Sequence, residues 1–315
     1  MTGHVHVAPA GPADAVTVVG VVHAAFGARP ALDPAAAALD ETEESVARML
    51  GVHGGLLATR DGVAVGAMLL EPEGPLLRMR RVSVHPDAQG AGVAGALVGA
   101  AERLAAAEGY EGLVLVAREE LPATVAFWEH LGYTVTVRES PWMTLGKALP
   151  VEVVAASAQD TRTAGERLAA LLRRGDLVIL SGDLGAGKTT FTQGLGEGLS
   201  VRGGITSPTF VISRVHPSLV DGPALVHVDA YRLGGIEELD DLDLDTSLEE
   251  AVTVVEWGEG VAEGLADTRL EVTITRSRGD DAGGGDPLDG DGPRHLRLTP
   301  VGARWIGSGL RTLLA

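Results

Sequence analysis

The sequence predicts an α/β protein built as two units, and three observations carry that expectation. The chain has 315 residues, and a domain takes on the order of 100–200. Short strand-like runs alternate with helix-like runs through both halves. Past the middle, the apolar run "DLVIL" (176–180) leads directly into "GDLGAGKTT" (182–190) and then a helical stretch, the strand–loop–helix order of parallel-sheet proteins.

In the first unit (1–149), "HVHVA" (4–8) alternates as a strand, and 14–26 and 43–51 have helical apolar spacing. The stretch 55–72 reads as a hairpin turning at Asp61 and Gly62, because two positive-φ residues match the twist of paired strands. A strand (76–86), an Ala-rich helix (93–109) stopped by Gly109, a strand (112–117), a helix (123–132) and a strand (133–139) follow. The second unit (150–315) opens with a strand (151–157), a helix and the strand before the glycine-rich loop. The segment 278–293, "RGDDAGGGDPLDGDGP", lacks apolar periodicity and reads as a mobile surface loop between strands 269–275 and 294–300. Its aspartates miss the spacing of an EF-hand, so calcium is not expected there.

Composition narrows the function classes. The absence of cysteine excludes disulfides, thiolate zinc sites and a cysteine nucleophile, and is compatible with a cytoplasmic protein. The apolar run 15–28 follows no Lys or Arg, borders Asp14 and contains His23, so it reads as a first helix rather than a signal peptide. No apolar run reaches the ~20 residues that span a membrane. The formal charge is −18; residues before Pro150 include 10 basic and 17 acidic side chains, those from Pro150 onward 15 and 26. Two acidic units argue against unaided binding of nucleic acid, which needs a basic face.

Gly182, Gly187, Lys188 and Thr189 satisfy Gly-x-x-x-x-Gly-Lys-[Ser/Thr]. In such a loop, Gly182, Asp183, Leu184, Gly185, Ala186, Gly187 and the helix start at Lys188, Thr189 and Thr190 turn backbone N–H groups toward phosphate oxygens. Lys188 would reach the β- and γ-phosphates, and the Thr189 hydroxyl would ligate Mg²⁺. The chain has only two lysines, Lys147 and Lys188, so a chance match in this composition is expected roughly once in several hundred such chains. A second Mg²⁺ anchor needs an acid at the end of a buried strand, and two strands offer one: 224–232 ends its apolar run at Asp229, and 252–259 at Glu256. The Lys-containing guanine-reading element of translational GTPases is missing, which favours ATP.

"GDLGAGKTTF", "SPTF" (207–210), "VHVDAYRL" (226–233) and "VVEWGE" (254–259) occur in an order and spacing that resembles the bacterial ATPase family of tRNA threonylcarbamoyladenosine biosynthesis, TsaE. The resemblance covers about 151–315. It implies a small P-loop ATPase that docks on TsaB- and TsaD-type proteins modifying the adenosine beside the anticodon, with tRNA held by those partners. It further implies that Thr189 and Glu256 hold Mg²⁺, that Asp229 acts near the γ-phosphate, that Ser207 to Thr209 form a switch-like segment, that Trp257 lies by the site and that Thr161 contacts nucleotide. The acidic run 237–250 is open to two readings, a docking surface or a solvated helix and loop.

In the first unit, Gln89-x-x-Gly92-x-Ala94 ends a turn between a strand and a helix, where backbone N–H groups can face a pyrophosphate. The order of elements, this motif and "AFWEHLGYTV" (126–135) resemble the GNAT N-acetyltransferase family over roughly 4–147. That resemblance implies a mixed sheet with flanking helices and an acetyl-CoA site. Val82 and Val84 would meet the pantetheine arm, and Gln89, Gly90, Ala91, Gly92, Val93 and Ala94 the pyrophosphate. Where family members often carry a tyrosine as acid, this chain has Trp128. The central strand offers Arg78, Arg80, Arg81 and Ser83 rather than a carboxylate. His85, Glu119 and Glu120 are the candidate bases, and Tyr133 reads as core packing. Three readings stand at this point: an acetyltransferase fused to the ATPase, an acetyl-CoA sensor fused to it, and a small-molecule kinase on the same loop.

Overall fold

Alternation of apolar and polar residues builds the first sheet. The computed structural model describes residues 4–208, 212–232, 245–276 and 292–314, and the chain divides into the units Met1–Leu149 and Pro150–Ala315. The first unit runs β1 (Val5–Ala10), α1 (Ala15–Gly27), α2 (Glu43–His53), β2 (Gly55–Arg60), β3 (Val63–Glu73), β4 (Leu76–Val84), α3 (Val93–Ala107), β5 (Gly112–Arg118), α4 (Pro122–His130), β6 (Thr134–Glu139) and β7 (Trp142–Ala148). Its strand order is β1-β2-β3-β4-β5-β7-β6. The β2–β3 hairpin turns at Asp61 (φ 53°) and Gly62 (φ 79°), the two-residue turn expected there. Within β3, Met68 and Leu70 join the core that contains Leu97 and Trp128, while Ala67 and Leu69 join Val18, Val22 and Leu50. The period of two therefore places α1 and α2 on one face and α3 and α4 on the other.

Strand β7 was not expected from the sequence, and it lies between β5 and β6. Its "WMTLGKA" includes Gly and Lys, which weaken a strand signal until neighbours on both sides supply the pairing. One feature of the sheet shapes the function. β4 and β5 pair in parallel only from Leu76 with Gly112 to Arg78 with Val114, then separate. A bulge, with Arg81 at φ 52°, bends β4 just beyond that point. The parted strands leave a wedge in the middle of the sheet.

The second unit runs β8 (Val151–Ala155), α5 (Ala158–Ala169), β9 (Leu177–Ser181), α6 (Lys188–Gly198), β10 (Ser213–His216), β11 (Ala224–Asp229), a short helix Asp245–Glu250, β12 (Ala251–Glu256), β13 (Arg269–Arg276), β14 (Arg294–Val301) and a terminal helix Leu310–Leu314. The sheet order is β10-β11-β12-β9-β13-β14-β8. β11, β12, β9 and β13 are mutually parallel; β10 and β14 run against them, and β8, antiparallel to β14, runs with them. Every residue of β9 and β12 is buried, which explains their unbroken apolar character. Register aligns Asp229 with Glu256 and Glu256 with Leu180, so two acids and the start of the glycine loop meet at the same sheet edge. Open α/β sheets bind ligands outside the carboxyl ends of their strands. The glycine- and aspartate-rich segment, apart from residues 292 and 293, lies outside the described residues, as do Thr209 and residues 237–244 of the acidic run.

Candidate functional site

The loop between β9 and α6 is held close to the sheet by glycine. Gly182 adopts φ +135°, and a Cβ there would sit 2.2 Å from the Ile274 carbonyl oxygen. Gly185 and Gly187 are also at positive φ, which lets the chain double back and begin α6 at Lys188. Gly185, Gly187, Lys188, Thr189 and Thr190 line a cleft of about 460 Å³, with Leu184 on its rim. Gly182, Asp183 and Ala186 are not on that lining; Ala186 is buried behind it.

Lys188 is buried, and its Nζ donates to the carbonyls of Gly182 at 2.7 Å and Asp183 at 3.1 Å. Nζ also lies 3.5 Å from the centre of the Trp257 ring. Burial pulls the Lys188 ammonium below its usual range, opposed by Glu256, Asp229 and Asp183. The ammonium makes no ion pair with a carboxylate among the described residues, and it faces the cleft where phosphates would add negative charge.

Glu256 and Asp229 face the same cleft. Glu256 Oε2 accepts from Thr189 Oγ1 at 3.1 Å, and Oε1 accepts from His227 Nε2 at 2.9 Å. Asp229 Oδ2 accepts from Ser207 Oγ at 2.8 Å, and Oδ1 from the Tyr231 amide at 3.0 Å. Trp257 follows Glu256 at φ 60°, an uncommon conformation for a bulky residue, and its ring lies 5.2 Å from that of Tyr231. A hydroxyl and a carboxylate in contact form an oxygen-only donor pair that suits Mg²⁺, which takes one or two protein ligands and leaves the rest to phosphate and water. No group of three His, Cys, Asp or Glu able to hold a metal occurs among the described residues.

Thr161 sits elsewhere than the cleft lining. It is buried, its Oγ1 donates to the Ser157 carbonyl at 3.2 Å, and its methyl lies 3.6 Å from where a Gly187 Cβ would be. Thr161 thus packs against the loop from behind. His227 and Tyr231 are site residues that the sequence reading did not single out. His227 had a signal: it is the polar residue two positions before Asp229, hence on the same strand face.

The wedge in the first unit opens into two cavities. The larger, about 290 Å³, lies between the parted halves of β4 and β5 and includes Val82, Arg78, Arg80 and Arg81. The smaller, about 170 Å³, is lined by Val82, Val84, Gln89 and Ala94 with Phe127 and Trp128. Gly92 (φ 77°) begins α3, and Gly90 (φ 74°) precedes it; a Cβ on either would meet open space. Gly90, Ala91 and Gly92 are exposed beside the smaller cavity's wall rather than on it. The Val93 side chain is buried in the core, which leaves only its backbone to a ligand. An unpaired strand edge leading to a helix N-terminus fits a long thioester arm ending in a pyrophosphate.

Trp128 lines both cavities and meets Phe127 and Tyr133 edge-on, each at 5.2 Å between ring centres. The Tyr133 hydroxyl donates to Glu102 at 3.2 Å; burial first and then Glu102 push this phenol far above its usual range. Tyr133 is therefore a packed core residue. None of His85, Glu119 and Glu120 lines either cavity. His85 Nδ1 accepts from the Asp87 amide at 3.4 Å, Glu119 accepts from Ser140, and Glu120 pairs with Arg118.

Comparison with known proteins follows the same division. Residues 155–282 match the family described as threonylcarbamoyl adenosine biosynthesis protein TsaE, and residues 29–133 match the acetyltransferase (GNAT) family. The tRNA threonylcarbamoyladenosine biosynthesis protein TsaE of Streptomyces coelicolor is 60% identical over 153 residues, covering 48% of this chain and 98% of that protein. The corresponding Bacillus subtilis protein is 37% identical over 149 residues, 47% of this chain and 84% of that protein. Among solved structures, a PaiA N-acetyltransferase from Thermoplasma acidophilum in complex with coenzyme A aligns with 46% of this chain and 99% of its own, at 13% identity and a TM-score of 0.42.

Proposed function

The chain belongs to the TsaE family through its second half and carries a GNAT-type domain ahead of it, and from that premise we propose a Mg²⁺-dependent ATPase of tRNA threonylcarbamoyladenosine synthesis joined to an acetyl-CoA-dependent N-acetyltransferase. The observation that carries the first part is the convergence of Lys188, Thr189, Asp229 and Glu256 on one cleft. Lys188 binds the β- and γ-phosphates once it leaves the Gly182 and Asp183 carbonyls. Thr189 and Glu256 hold Mg²⁺, which supplies charge neutralisation at the phosphate oxygens. Asp229, tied to Ser207, orients the attacking water and links its position to the segment that begins there. An acidic second unit suits a component that works on tRNA through TsaB- and TsaD-type partners rather than by its own grip.

The test is phosphate release by the purified chain with and without those partners. Lys188→Ala removes the one positively charged side chain among the described residues that line the cleft, and turnover is expected to fall by at least roughly 10²-fold, as for loss of one strong electrostatic contact at a reacting centre. Unchanged turnover would sink the assignment. Transfer of phosphate to an added metabolite would favour the kinase reading instead.

The first domain is read as an acetyltransferase because the parted β4 and β5 open a cavity beside a helix N-terminus. A second reading, binding without turnover, is favoured by Trp128, whose indole cannot protonate a thiolate. Gly92→Glu is expected to abolish acetyl-CoA binding in calorimetry. CoA release in the presence of amines separates the two readings.

A further inference from the structure

The larger cavity of the first domain is walled by arginine. Arg29, Arg78, Arg80, Arg81 and Arg118 all line it, and among the described residues no Asp or Glu does. Four of them are compensated from outside the cavity: Arg78 by Glu73, Arg80 by Glu71 at 2.9 Å, Arg81 by Glu41 at 2.8 Å and Arg118 by Glu120 at 2.6 Å. Arg118 also donates to the carbonyls of Asp33 and Pro34, tying down the segment that supplies Leu32 and Ala36 to the wall.

Arg29 is different. Its guanidinium carbon stacks 3.8 Å above the Phe26 ring, it makes no ion pair among the described residues, and it lines both cavities. Burial pulls its guanidinium below the usual range, although an arginine stays charged. A half-buried cation without a counter-charge is costly, and a carboxylate in its two-pronged geometry is the group that relieves it. Apart from Thr124, the rest of the described wall is apolar, with Leu32, Met79, Leu115, Trp128 and Trp142.

We infer that the amine acetylated here is carried on a small, apolar, anionic body of amino-acid size, whose carboxylate is held by Arg29. This rests on reading the first domain as an acetyltransferase. The amine nitrogen attacks the thioester carbonyl carbon; the C–N bond forms, the C–S bond breaks, the amine's proton leaves to solvent and the released thiolate takes one up.

The test compares leucine, methionine and phenylalanine with their carboxamides as acceptors for the full chain, reading CoA thiol release. The carboxamides have the less basic amine, so they react faster if charge is not recognised. The expected result is a kcat/KM at least tenfold higher for the carboxylates. Arg29→Gln should bring that ratio to about one, and Arg29→Lys should keep part of it. A ratio is used because it cancels any effect of the substitution on acetyl-CoA itself. CoA release with carboxamides equal or better, or a ratio unchanged in Arg29→Gln, overturns the anionic acceptor and leaves the acetyltransferase standing. CoA release from neither set overturns the amino-acid acceptor, and release with no member of a wider amine panel removes the acetyltransferase reading. The anion site is then read by titrating the CoA-saturated chain with N-acetyl-leucine and its amide. Tenfold tighter binding of the acid that Arg29→Gln abolishes upholds the site, and equal or absent binding overturns it.

Discussion

Glu256 spends both carboxylate oxygens inside the protein, one on Thr189 and one on His227. The second contact aims the first. An ionised carboxylate only accepts, so His227 Nε2 donates to Oε1 and leaves Oε2 turned toward Thr189. His227 is fully buried. Removing such an outer partner of a metal-holding carboxylate typically costs 10- to 100-fold in metal affinity. His227→Ala should therefore raise the Mg²⁺ concentration needed for half-maximal ATP hydrolysis by roughly tenfold. It should also lower the stability of the second unit by about 1–3 kcal/mol, since Oε1 loses its buried partner. Nucleotide binding measured without metal should change little, and a Mg²⁺ requirement that stays put would show that His227 only fills space. Alternation along "ALVHVD" shows that His227 shares a face with Asp229. It does not show that the next strand places Glu256 diagonally opposite, because that depends on the parallel register of Asp229 with Glu256.

Between elements, α5 and α6 approach through glycine. Gly165 on α5 and Gly194 and Gly198 on α6 leave no room for a methyl: a Cβ would lie 2.3 Å from the Phe191 carbonyl oxygen, 1.9 Å from that of Arg162 and 2.5 Å from the Ala169 Cβ, respectively. Read along the chain, a glycine inside a helix is a weakness of about 1 kcal/mol relative to alanine. Propensity therefore predicts that Gly194→Ala stabilises the protein, and contact predicts the reverse. Contact should win, because the clash is with backbone and overpacking typically costs about 1–3 kcal/mol. At roughly 2–4 °C per kcal/mol for a unit this size, thermal unfolding of the second unit should come several degrees earlier. A higher midpoint would refute the close helix crossing. β7 has the same lesson for strands: β6 is its hairpin neighbour, but its other partner, β5, lies beyond α4 and β6, and local propensity does not report that pairing.

For the whole molecule, two units and two ligand chemistries predict two separable responses. Mg²⁺ with ATP should raise the unfolding temperature of the second unit, and acetyl-CoA that of the first, each by the mass-action stabilisation of a ligand that binds only folded protein. Lys188→Ala should abolish the first shift and keep the second, and Gly92→Glu the converse; loss of both shifts in either variant would refute independent sites. The sequence by itself determined the α/β class of both halves and the strand–loop–helix order around 182–190. Those are local properties, set by the period of apolar residues and by glycine and lysine at a constant spacing. It likewise singled out Asp229 and Glu256 as acids ending apolar runs. Only the tertiary structure decided that these two acids, Lys188 and Thr189 share one cleft, and that Thr161 packs behind it. It also decided that five arginines from α1's end, β4 and β5 wall one cavity while the carboxylate partners of four of them stand outside. The physical reason is that strand register and the parting of β4 from β5 follow from the packing of whole faces, and no short stretch of chain contains that balance.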